Sequence, residues 1–399
     1  MFLERQTYLK LIVFFAVFSL TNAISNALVS ISTGAATIYI MYDCIHKKSL
    51  NGFVIPSLVG KSILFFLLSV LISSIAVWDI PSISLACKYI YWATPFVLLT
   101  YICAEREMKR TVLYAIIASI LFASSYSIYQ FTLSPVGIRI GGFYDNPNFF
   151  AVLLILTLPF LILFFIKCVK NNIRNVVTVI TLLSIIFGIF ALYLTGSRGA
   201  MLGFVLGGVA LLLFYGIIKK QFAILILTLV IVIGSGLFVV SGKMIGGMTR
   251  SYDMERVYLL ESSYNMWQNN KVIGVGLNNW KDEYQKKYIL PQAKEHYLII
   301  PHNTIAWFFS ATGIVGGMGF LIFTFGILFF LLQMIKRYPD NFFLVAMLWS
   351  FVAFSIHGLV DVGITMKSSN RLFFALLGVT VASLNWSVQR NLKEAKDEI

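Results

Sequence analysis

Long apolar runs follow one another along almost the whole chain, and they constrain its fold more than any other feature. A helix that crosses the hydrocarbon core of a bilayer needs roughly 20 mostly apolar residues, and about twelve runs approach that length. They are 8–23, 27–43, 60–77, 84–103, 111–131, 149–168, 174–194, 200–218, 221–240, 303–334, 341–361 and 371–387. Only 12% of the 399 residues are charged, too few for the surface of a soluble protein of this length. We therefore predict an all-α polytopic membrane protein.

The basic residues are distributed unevenly between the predicted loops. A net charge of +14 could indicate a nucleic-acid-binding protein, but no basic and aromatic patch stands outside the apolar runs, so no nucleic-acid partner is expected. Cytoplasmic loops of membrane proteins collect Lys and Arg. Alternate connections, all on the side of the N-terminus, carry Lys47 and Lys48; Arg106, Lys109 and Arg110; Lys167, Lys170 and Arg174; Lys219 and Lys220; Lys336 and Arg337; and Arg390, Lys393 and Lys396. Both termini are therefore predicted to be cytoplasmic.

The first apolar run can be interpreted in two ways. Arg5 and Lys10 precede an apolar stretch that ends at Thr21-Asn22-Ala23, and this order resembles a cleaved signal peptide. The second run follows at once, which favours an uncleaved first helix. Either interpretation leaves the sides of the later loops unchanged.

The apolar runs divide the chain into four parts. Residues 1–240 would form helices one to nine, and residues 241–302 would form the single long loop on the outer side. Residues 303–387 would form helices ten to twelve, and residues 388–399 a cytoplasmic tail. A long loop in a compact protein is usually functional or disordered, and the aromatic content of this one argues against disorder.

Two segments of the long loop have recognisable local patterns. Residues 254–268 predict an amphipathic helix. Its apolar face would comprise Val257, Leu260, Tyr264 and Trp267. Residues 271–279 carry Gly274 and Gly276 without the strand–helix context of a dinucleotide-binding loop, so a tight turn is predicted there.

A few basic residues lie where the positive-inside rule would not put them. They are Arg139, Arg198, Arg256, His302 and Arg371. The planar fork of arginine suits phosphate oxygens, and several converging forks would form a receptor for a lipid-borne pyrophosphate. Each arginine could instead extend to a lipid headgroup or cap a helix. The very short turn around Arg198 leaves that side chain little freedom, which favours ligand binding there.

His302 is the best candidate for proton transfer. The unperturbed pKa of histidine is about 6.5, close to neutrality, as a general base requires. Capping of a helix is the alternative role. His46 is cytoplasmic and His296 lies in a polar stretch, whereas His357 precedes Asp361 by four residues and could meet it on one helix face.

Lys88 lies inside the fourth predicted helix, near its outer end. An intramembrane cation is costly and therefore a functional candidate, although Asp79 across the short loop could simply pair with it. No cluster of Asp, Glu or His has the spacing of metal ligands, so neither a metal nor a cofactor is expected.

Four segments, taken in order, resemble the O-antigen ligase superfamily, which also includes O-antigen polymerases. They are IGGFYDNPNFFA just after Arg139, TGSRGAMLG with Arg198, MERVYLLESSYNMWQNNKVIGVGLNNW with Arg256, and PHNTIAWFFSATGIVGGMGF with His302 and Asn303. The similarity covers residues 135–375, and the helices before it resemble the family in hydropathy alone.

The resemblance implies a lipid-embedded glycosyltransferase of the GT-C type in the bacterial inner membrane, with its site facing the periplasm. Such enzymes transfer a glycan from undecaprenyl pyrophosphate to an acceptor such as lipid A–core, with inversion and without a metal. Arg198 and Arg256 would then bind the pyrophosphate, Arg139 would be a third ligand, and His302 would activate the acceptor hydroxyl.

Other residues would have supporting roles at most. Asn303, Lys88 and Arg371 are the candidates. The last segment, DVGITMKSSNRLF, matches the family loosely, so Asp361 and Arg371 are left without assigned roles.

Two other functions remain open at the level of sequence. An O-antigen or capsule polymerase would use the same donor but a different acceptor, and nothing in the sequence distinguishes them. A transporter or flippase would need no base and would carry its charges midway along helices. The outer position of most charges here disfavours transport.

The predicted topology can be tested with fusions. A reporter placed after residue 48, 109 or 220 should read as cytoplasmic, and one placed near residue 260 or 290 should read as external, because of the positive-inside bias. Dual alkaline phosphatase and fluorescent-protein fusions measure this. A cytoplasmic signal at residue 260 would contradict the prediction.

Overall fold

The computed structural model describes residues 2–22, 26–47, 54–135, 137–173, 175–221, 226 and 251–397. Within these ranges the chain forms thirteen α-helices and no strand. They are α1 (Phe2–Asn22), α2 (Asn26–Lys47), α3 (Ser57–Val77), α4 (Ile80–Ile102), α5 (Arg106–Leu133), α6 (Pro147–Lys170), α7 (Val176–Leu194), α8 (Arg198–Lys219), α9 (Ser251–Asn269), α10 (Trp280–Glu283), α11 (Thr304–Arg337), α12 (Phe342–His357) and α13 (Lys367–Asp397).

The predicted all-α polytopic class is confirmed. Eight of the described helices are long and apolar enough to cross a bilayer, and two shorter apolar helices, Thr7–Thr21 and Phe342–His357, accompany them. The ninth predicted run, 221–240, falls almost wholly outside the described residues, as do residues 241–250 of the long loop. The total of about twelve spans stays a prediction.

Helix α6 forms the centre of the bundle. Every residue from 150 to 161 is buried, and all of them except Thr157 are apolar. A helix that is apolar on all sides is surrounded by other elements. Here α5, α7, α8, α12 and α13 pack around it.

Helices α8 and α12 approach each other closely because glycines line the contact. A Cβ atom on Gly203 would lie 2.5 Å from the carbonyl oxygen of Ala353, and one on Gly207 would lie 2.9 Å from Trp349. The Trp349 Nε1 donates a hydrogen bond to the carbonyl of Phe204 at 2.7 Å. Small residues permit this packing in membranes, and it brings the start of α8 to the end of α12.

Helix α11 is sharply bent at Gly313, where φ is 63° and ψ is −161°. In a straight helix the Cα atoms of Phe308 and Phe320 would be about 18 Å apart. Their rings instead stack with centroids 4.7 Å apart, and both contact the ring of Phe66. The two halves of α11 therefore fold back towards each other.

The backbone groups released by this bend bind another segment of the chain. The amides of Val275 and Gly276 donate to the carbonyls of residues 310 and 311 at 3.0 and 2.8 Å, and the amide of Ile314 donates to the carbonyl of Lys271 at 2.8 Å. Non-helical backbone at membrane depth is tolerated when protein groups satisfy it in this way. The turn predicted in residues 271–279 is present, since the amide of Asn279 donates to the Gly276 carbonyl. The first residues of this segment, 271–276, form the hydrogen bonds with the bend of α11.

The helix predicted at 254–268 is confirmed as α9 (Ser251–Asn269), but the predicted apolar face is not the face that packs against the protein. Val257 and Tyr264 are half exposed, whereas Leu259 and Met266 are fully buried. Ser262 and Ser263 are buried on the same face as Leu259 and Met266.

The bend at Gly313 should be sensitive to substitution. A Cβ atom there would lie 2.2 Å from the carbonyl oxygen of Val272, and this backbone region is essentially restricted to glycine. We expect Gly313→Ala to lower the free energy of unfolding by about 1–3 kcal/mol or more. Thermal unfolding in detergent measures the loss. Gly34→Ala is the control, because nothing lies within 4 Å of the Cβ it would add, and an equal melting temperature for the two variants would contradict the expectation.

Candidate functional site

A polar cavity of about 440 Å³ lies where α8 and α9 begin and α12 ends. Four residues predicted from the sequence line it together: Arg139, Arg198, Arg256 and His302. They come from four separate segments of the chain. The structure thus brings together the residues whose convergence the sequence predicted, whereas their roles remain predictions.

The turn between α7 and α8 forms one wall of the polar cavity. Gly196 has φ of 59°, and a Cβ atom there would lie 3.2 Å from the Arg139 side chain. Ser197 is the N-cap of α8 without a side-chain capping bond, and the first turn of α8 holds no acidic residue. Arg198 therefore stands at the positive end of a helix, where a cation is unfavourable unless an anion joins it. This arrangement suits a phosphate group.

Arg139 is held from two sides. Its Nε donates to the carbonyl of Thr195 at 2.8 Å, and its Nη2 donates to the Oδ1 of Asn148. Asn146 caps α6 by accepting from the amide of Asn148 at 2.9 Å. The Asn-Pro-Asn motif thus begins α6 and also orients the guanidinium of Arg139.

Gly199 joins this wall to the end of α12. A Cβ atom on Gly199 would lie 2.3 Å from Cγ2 of Val360 and 3.7 Å from Cδ2 of His357. No side chain larger than hydrogen fits here without displacing the loop after α12. The Gly-Ser-Arg-Gly turn is therefore a packing element as well as a part of the cavity.

His302 and Asp361 form a hydrogen-bonded pair on the lining of the polar cavity. The distance from His302 Nδ1 to Asp361 Oδ1 is 3.3 Å, and Asp361 is only 3% exposed. The same carboxylate oxygen accepts from the amide of Val362 at 2.8 Å. His302 has φ of 51°, which is uncommon for a residue other than glycine and marks a conformation imposed by its surroundings.

The surroundings of Asp361 favour the ionised form of its side chain. Burial opposes its ionisation, but the hydrogen bond from His302, the nearby imidazoles and the Val362 amide together hold its pKa below the ordinary value. An ionised carboxylate on Nδ1 leaves Nε2 of the imidazole as the atom that can accept a proton.

His357 and Asp361 do not share a helix face as the sequence suggested. Helix α12 ends at His357, and Asp361 lies in the following loop, where its amide donates to the His357 carbonyl at 3.0 Å. His357 nevertheless lines the polar cavity and is 1% exposed. The spacing of four residues between His357 and Asp361 was the only feature of the sequence that linked the two residues, and both line the polar cavity.

Glu255 ties the long loop to α9 beside the polar cavity. Its carboxylate accepts hydrogen bonds from the backbone amides of Lys294 and Glu295, each at 3.1 Å. This contact holds residues 294–302 against the helix that carries Arg256. Glu255 and Glu295 also line the cavity, and nothing in the sequence analysis identified them.

The three supporting candidates lie in different places. Asn303 caps α11 by accepting from the Ala306 amide at 2.9 Å and donates to the Leu359 carbonyl at 3.0 Å, so it positions His302. Lys88 is an exposed residue of α4, and Asp79 caps that helix. Arg371 is buried on α13 with its guanidinium 4.6 Å above the Tyr91 ring. Neither Lys88 nor Arg371 lines the polar cavity, and their roles stay predictions.

In the part of the chain that the structure describes, no three His, Cys, Asp or Glu side chains are grouped as a metal site requires. The arginines are the strong cations that the polar cavity offers. Metal-independent chemistry stays a prediction.

Comparison with known protein families finds a match to part of the chain. The family model described as O-antigen ligase matches residues 183–321, and no curated protein matches the chain. The matched range includes Arg198, Arg256 and His302, whereas Arg139 and Asp361 lie outside it. The match covers about a third of the chain, and it supports the resemblance to the O-antigen ligase superfamily.

Proposed function

We propose that this protein is an inverting, metal-independent O-antigen ligase. It transfers a polysaccharide from undecaprenyl pyrophosphate to a lipid A–core acceptor at the periplasmic face of the bacterial inner membrane. The family match supports a ligase or polymerase type of function. The observation that carries the finer proposal is the convergence of three arginines on one cavity beside the His302–Asp361 pair.

The donor pyrophosphate binds between Arg139, Arg198 and Arg256. Guanidinium groups bind phosphate oxygens through paired hydrogen bonds, and the N-terminus of α8 adds backbone donors to the same wall. Three carboxylates also line the cavity. Glu255 accepts hydrogen bonds from backbone amides, and Asp361 pairs with His302. The donor anion would bind at the wall formed by Arg139, Arg198 and the N-terminus of α8.

Transfer is a single displacement at the anomeric carbon of the donor sugar. The acceptor hydroxyl oxygen bonds to this carbon as the bond to the pyrophosphate oxygen breaks, and the configuration inverts. The pyrophosphate keeps the electron pair of the broken bond, and the arginines stabilise the negative charge that develops there. Charge stabilisation and positioning are the main requirements, because pyrophosphate is already a good leaving group.

His302 takes the proton of the acceptor hydroxyl at Nε2. Asp361 holds Nδ1, orients the ring and stabilises the imidazolium that forms, as the carboxylate does in a catalytic triad. The unusual φ of His302 supports this role, since strained backbone of this kind clusters at functional sites.

The orientation of the polar cavity agrees with a periplasmic site. Helix α6 begins at the cavity, beside Asn148, and carries Lys167 and Lys170 in its last turn at the opposite end. Helix α12 ends at the cavity and starts shortly after Lys336 and Arg337. The positive-inside rule assigns those basic ends to the cytoplasm. The polar cavity would then face outwards.

A transfer assay tests the function. The purified protein in lipid nanodiscs, given undecaprenyl-pyrophosphate glycan and lipid A–core, should produce glycan-linked core, and excess EDTA should leave the rate unchanged. The products separate by gel electrophoresis. A longer lipid-linked glycan with no linked core would instead identify a polymerase. Loss of transfer with EDTA and its return with one divalent ion would contradict the metal-free mechanism.

The roles of Arg198 and His302 should separate in kinetics. Arg198→Lys keeps the charge but loses the paired donors, so it should weaken donor binding. His302→Ala removes the base and leaves the arginines in place, so it should lower kcat by roughly 10²–10⁴-fold with donor binding near normal. Single-turnover rates and binding of labelled donor in nanodiscs measure the two effects separately.

Two further variants complete this series. Asp361→Asn should lower kcat without weakening donor binding, since the amide cannot hold the imidazole in the required tautomer. His46→Ala should have no effect, because His46 is an exposed residue of α2, far along the chain from the polar cavity lining. Retention of most activity by His302→Ala at neutral pH would refute the proposed base.

A further inference from the structure

Three basic residues near the starts of α4 and α13 lie outside the polar cavity, and we call them the basic cluster: Lys88, Lys367 and Arg371. The two helices pack closely, since a Cβ atom on Gly378 would lie 2.5 Å from the carbonyl oxygen of Phe96. The guanidinium of Arg371 lies 4.6 Å above the ring of Tyr91. The order of these contacts shows that α4 and α13 run in the same direction. Both lysines therefore lie one turn nearer to the helix starts than the contact between Arg371 and Tyr91.

The charge of the basic cluster is not compensated by the described part of the chain. None of the ion pairs between described residues includes a member of the cluster. Asp79, which the sequence suggested as a partner of Lys88, instead accepts from the amide of Ser82 at 2.9 Å and caps α4. The first turn of α13 holds no acidic residue. A counter-ion would have to come from outside the described chain.

Arg371 is the member of the basic cluster that most needs an anion. It is 2% exposed, and its Nη2 has no hydrogen-bond partner among the described residues. Lys367 precedes it by four residues, so two like charges share one helix face at the positive end of α13. A cation buried in a membrane protein without a partner is costly and marks a functional site by default. A bound anion would offset this cost.

The basic cluster lies close to the polar cavity along the chain. Lys367 follows Asp361 by six residues, which span at most about 20 Å when extended. A 3₁₀ turn at Gly363–Thr365 shortens this distance. Lys88 is exposed and Tyr91 is 40% exposed, so the cluster is accessible from outside the bundle. A molecule anchored at the cluster could therefore extend a short sugar chain to the His302–Asp361 pair.

We propose that the basic cluster binds phosphate groups of the glycolipid that accepts the transferred glycan. This inference rests on the proposed function and adds a second anion site, separate from the arginines that bind the donor. The ligand must carry an anion near the membrane surface and a sugar hydroxyl some distance from it, as a phosphorylated glycolipid does. Lys and Arg side chains between membrane helices bind lipid phosphates, and tyrosine is enriched at this depth.

The basic cluster contributes to affinity for the acceptor and not to bond formation, because it lies away from the reacting atoms. Binding that is equal in the ground state and the transition state lowers KM and leaves kcat unchanged. A hydrogen bond to a charged group corresponds to roughly a tenfold change in binding. Loss of one cation from the cluster should therefore raise the KM for a phosphorylated acceptor by about tenfold.

The test combines variants of the basic cluster with two acceptors. One acceptor is lipid A–core with its phosphate groups, and the other is the same molecule after their removal. We expect Lys367→Gln and Arg371→Gln each to raise the KM for the phosphorylated acceptor roughly tenfold and to leave kcat unchanged. Neither variant should change the KM for the dephosphorylated acceptor. Lys286→Gln is the matched control, because Lys286 is an exposed lysine of the long loop, and it should change neither value.

Failure of this inference is distinguishable from failure of the proposed function. Unchanged transfer to the dephosphorylated acceptor shows that a variant is folded and that its polar cavity works. Equal effects of Lys367→Gln on both acceptors, or no effect on either, would overturn the role of the basic cluster while transfer itself stands. Absence of transfer to both acceptors by the unsubstituted protein would refute the proposed function instead.

A binding measurement tests the basic cluster without turnover. Lipid A–core with a diazirine on a phosphate-bearing sugar should label peptides from residues 84–91 or 367–371 in nanodiscs. Unlabelled lipid A–core should suppress this labelling, whereas its dephosphorylated form and phosphatidylglycerol should not. Equal suppression by phosphatidylglycerol would identify an ordinary head-group contact, and labelling confined to other helices would place the acceptor elsewhere. Either result would overturn the proposal.

Discussion

The hydrogen bonds between residues 271–276 and the bend of α11 are the interaction on which the rest of the structure depends. Within a bilayer, backbone groups that leave a helix must find partners in the protein. The carbonyls and amides around Gly313 find them in Lys271, Val275 and Gly276. Ser73 reinforces the junction by donating to the carbonyls of Ile273 and Thr312. Without these partners α11 could not fold back, and its N-terminus would not reach the end of α12.

That fold-back determines the geometry of the candidate site. The amide of Thr304, the first residue of α11, donates to the Gly358 carbonyl, and this contact sets His302 opposite Asp361. On the other side, Gly199 allows α8 to approach the same loop and carries Arg198 with it. The polar cavity therefore forms where two helix starts and one helix end meet. Its side chains are held in advance by backbone contacts, which is what stabilisation of a developing charge requires.

Much of the fold and part of the candidate site could be predicted from the sequence. Apolar length alone identifies most of the helices, because the bilayer sets a minimum for each. The positive-inside rule predicts few basic residues in the outer loops. It therefore identified the four exceptions as candidates: Arg139, Arg198, Arg256 and His302. The convergence of these four residues on the polar cavity is then a matter of tertiary packing, which the sequence order only suggested.

Other features depended on contacts between distant residues and were missed for that reason. The bend at Gly313 is specified jointly with Val272, and no local pattern contains that pair. The face of α9 that packs against the protein was missed, because Leu259 and Met266 are buried by contacts with segments distant in the sequence, such as α11. The pairing of Asp361 with His302 spans 59 residues and depends on where α12 ends.

The shortness of α12 has a consequence for turnover. Its 16 residues span about 24 Å, less than the roughly 30 Å of hydrocarbon in a typical bilayer. A helix this short would leave its end and the loop after it below the membrane surface if its other end lies at the opposite surface. Asp361, in that loop, is 3% exposed and lies among buried side chains where water is scarce. Attraction between guanidinium and phosphate groups is several times stronger there than in water. Under the proposed function, a spent carrier would be held by the same forces that help the bond to break, so its departure, rather than bond formation, would set the pace of the catalytic cycle.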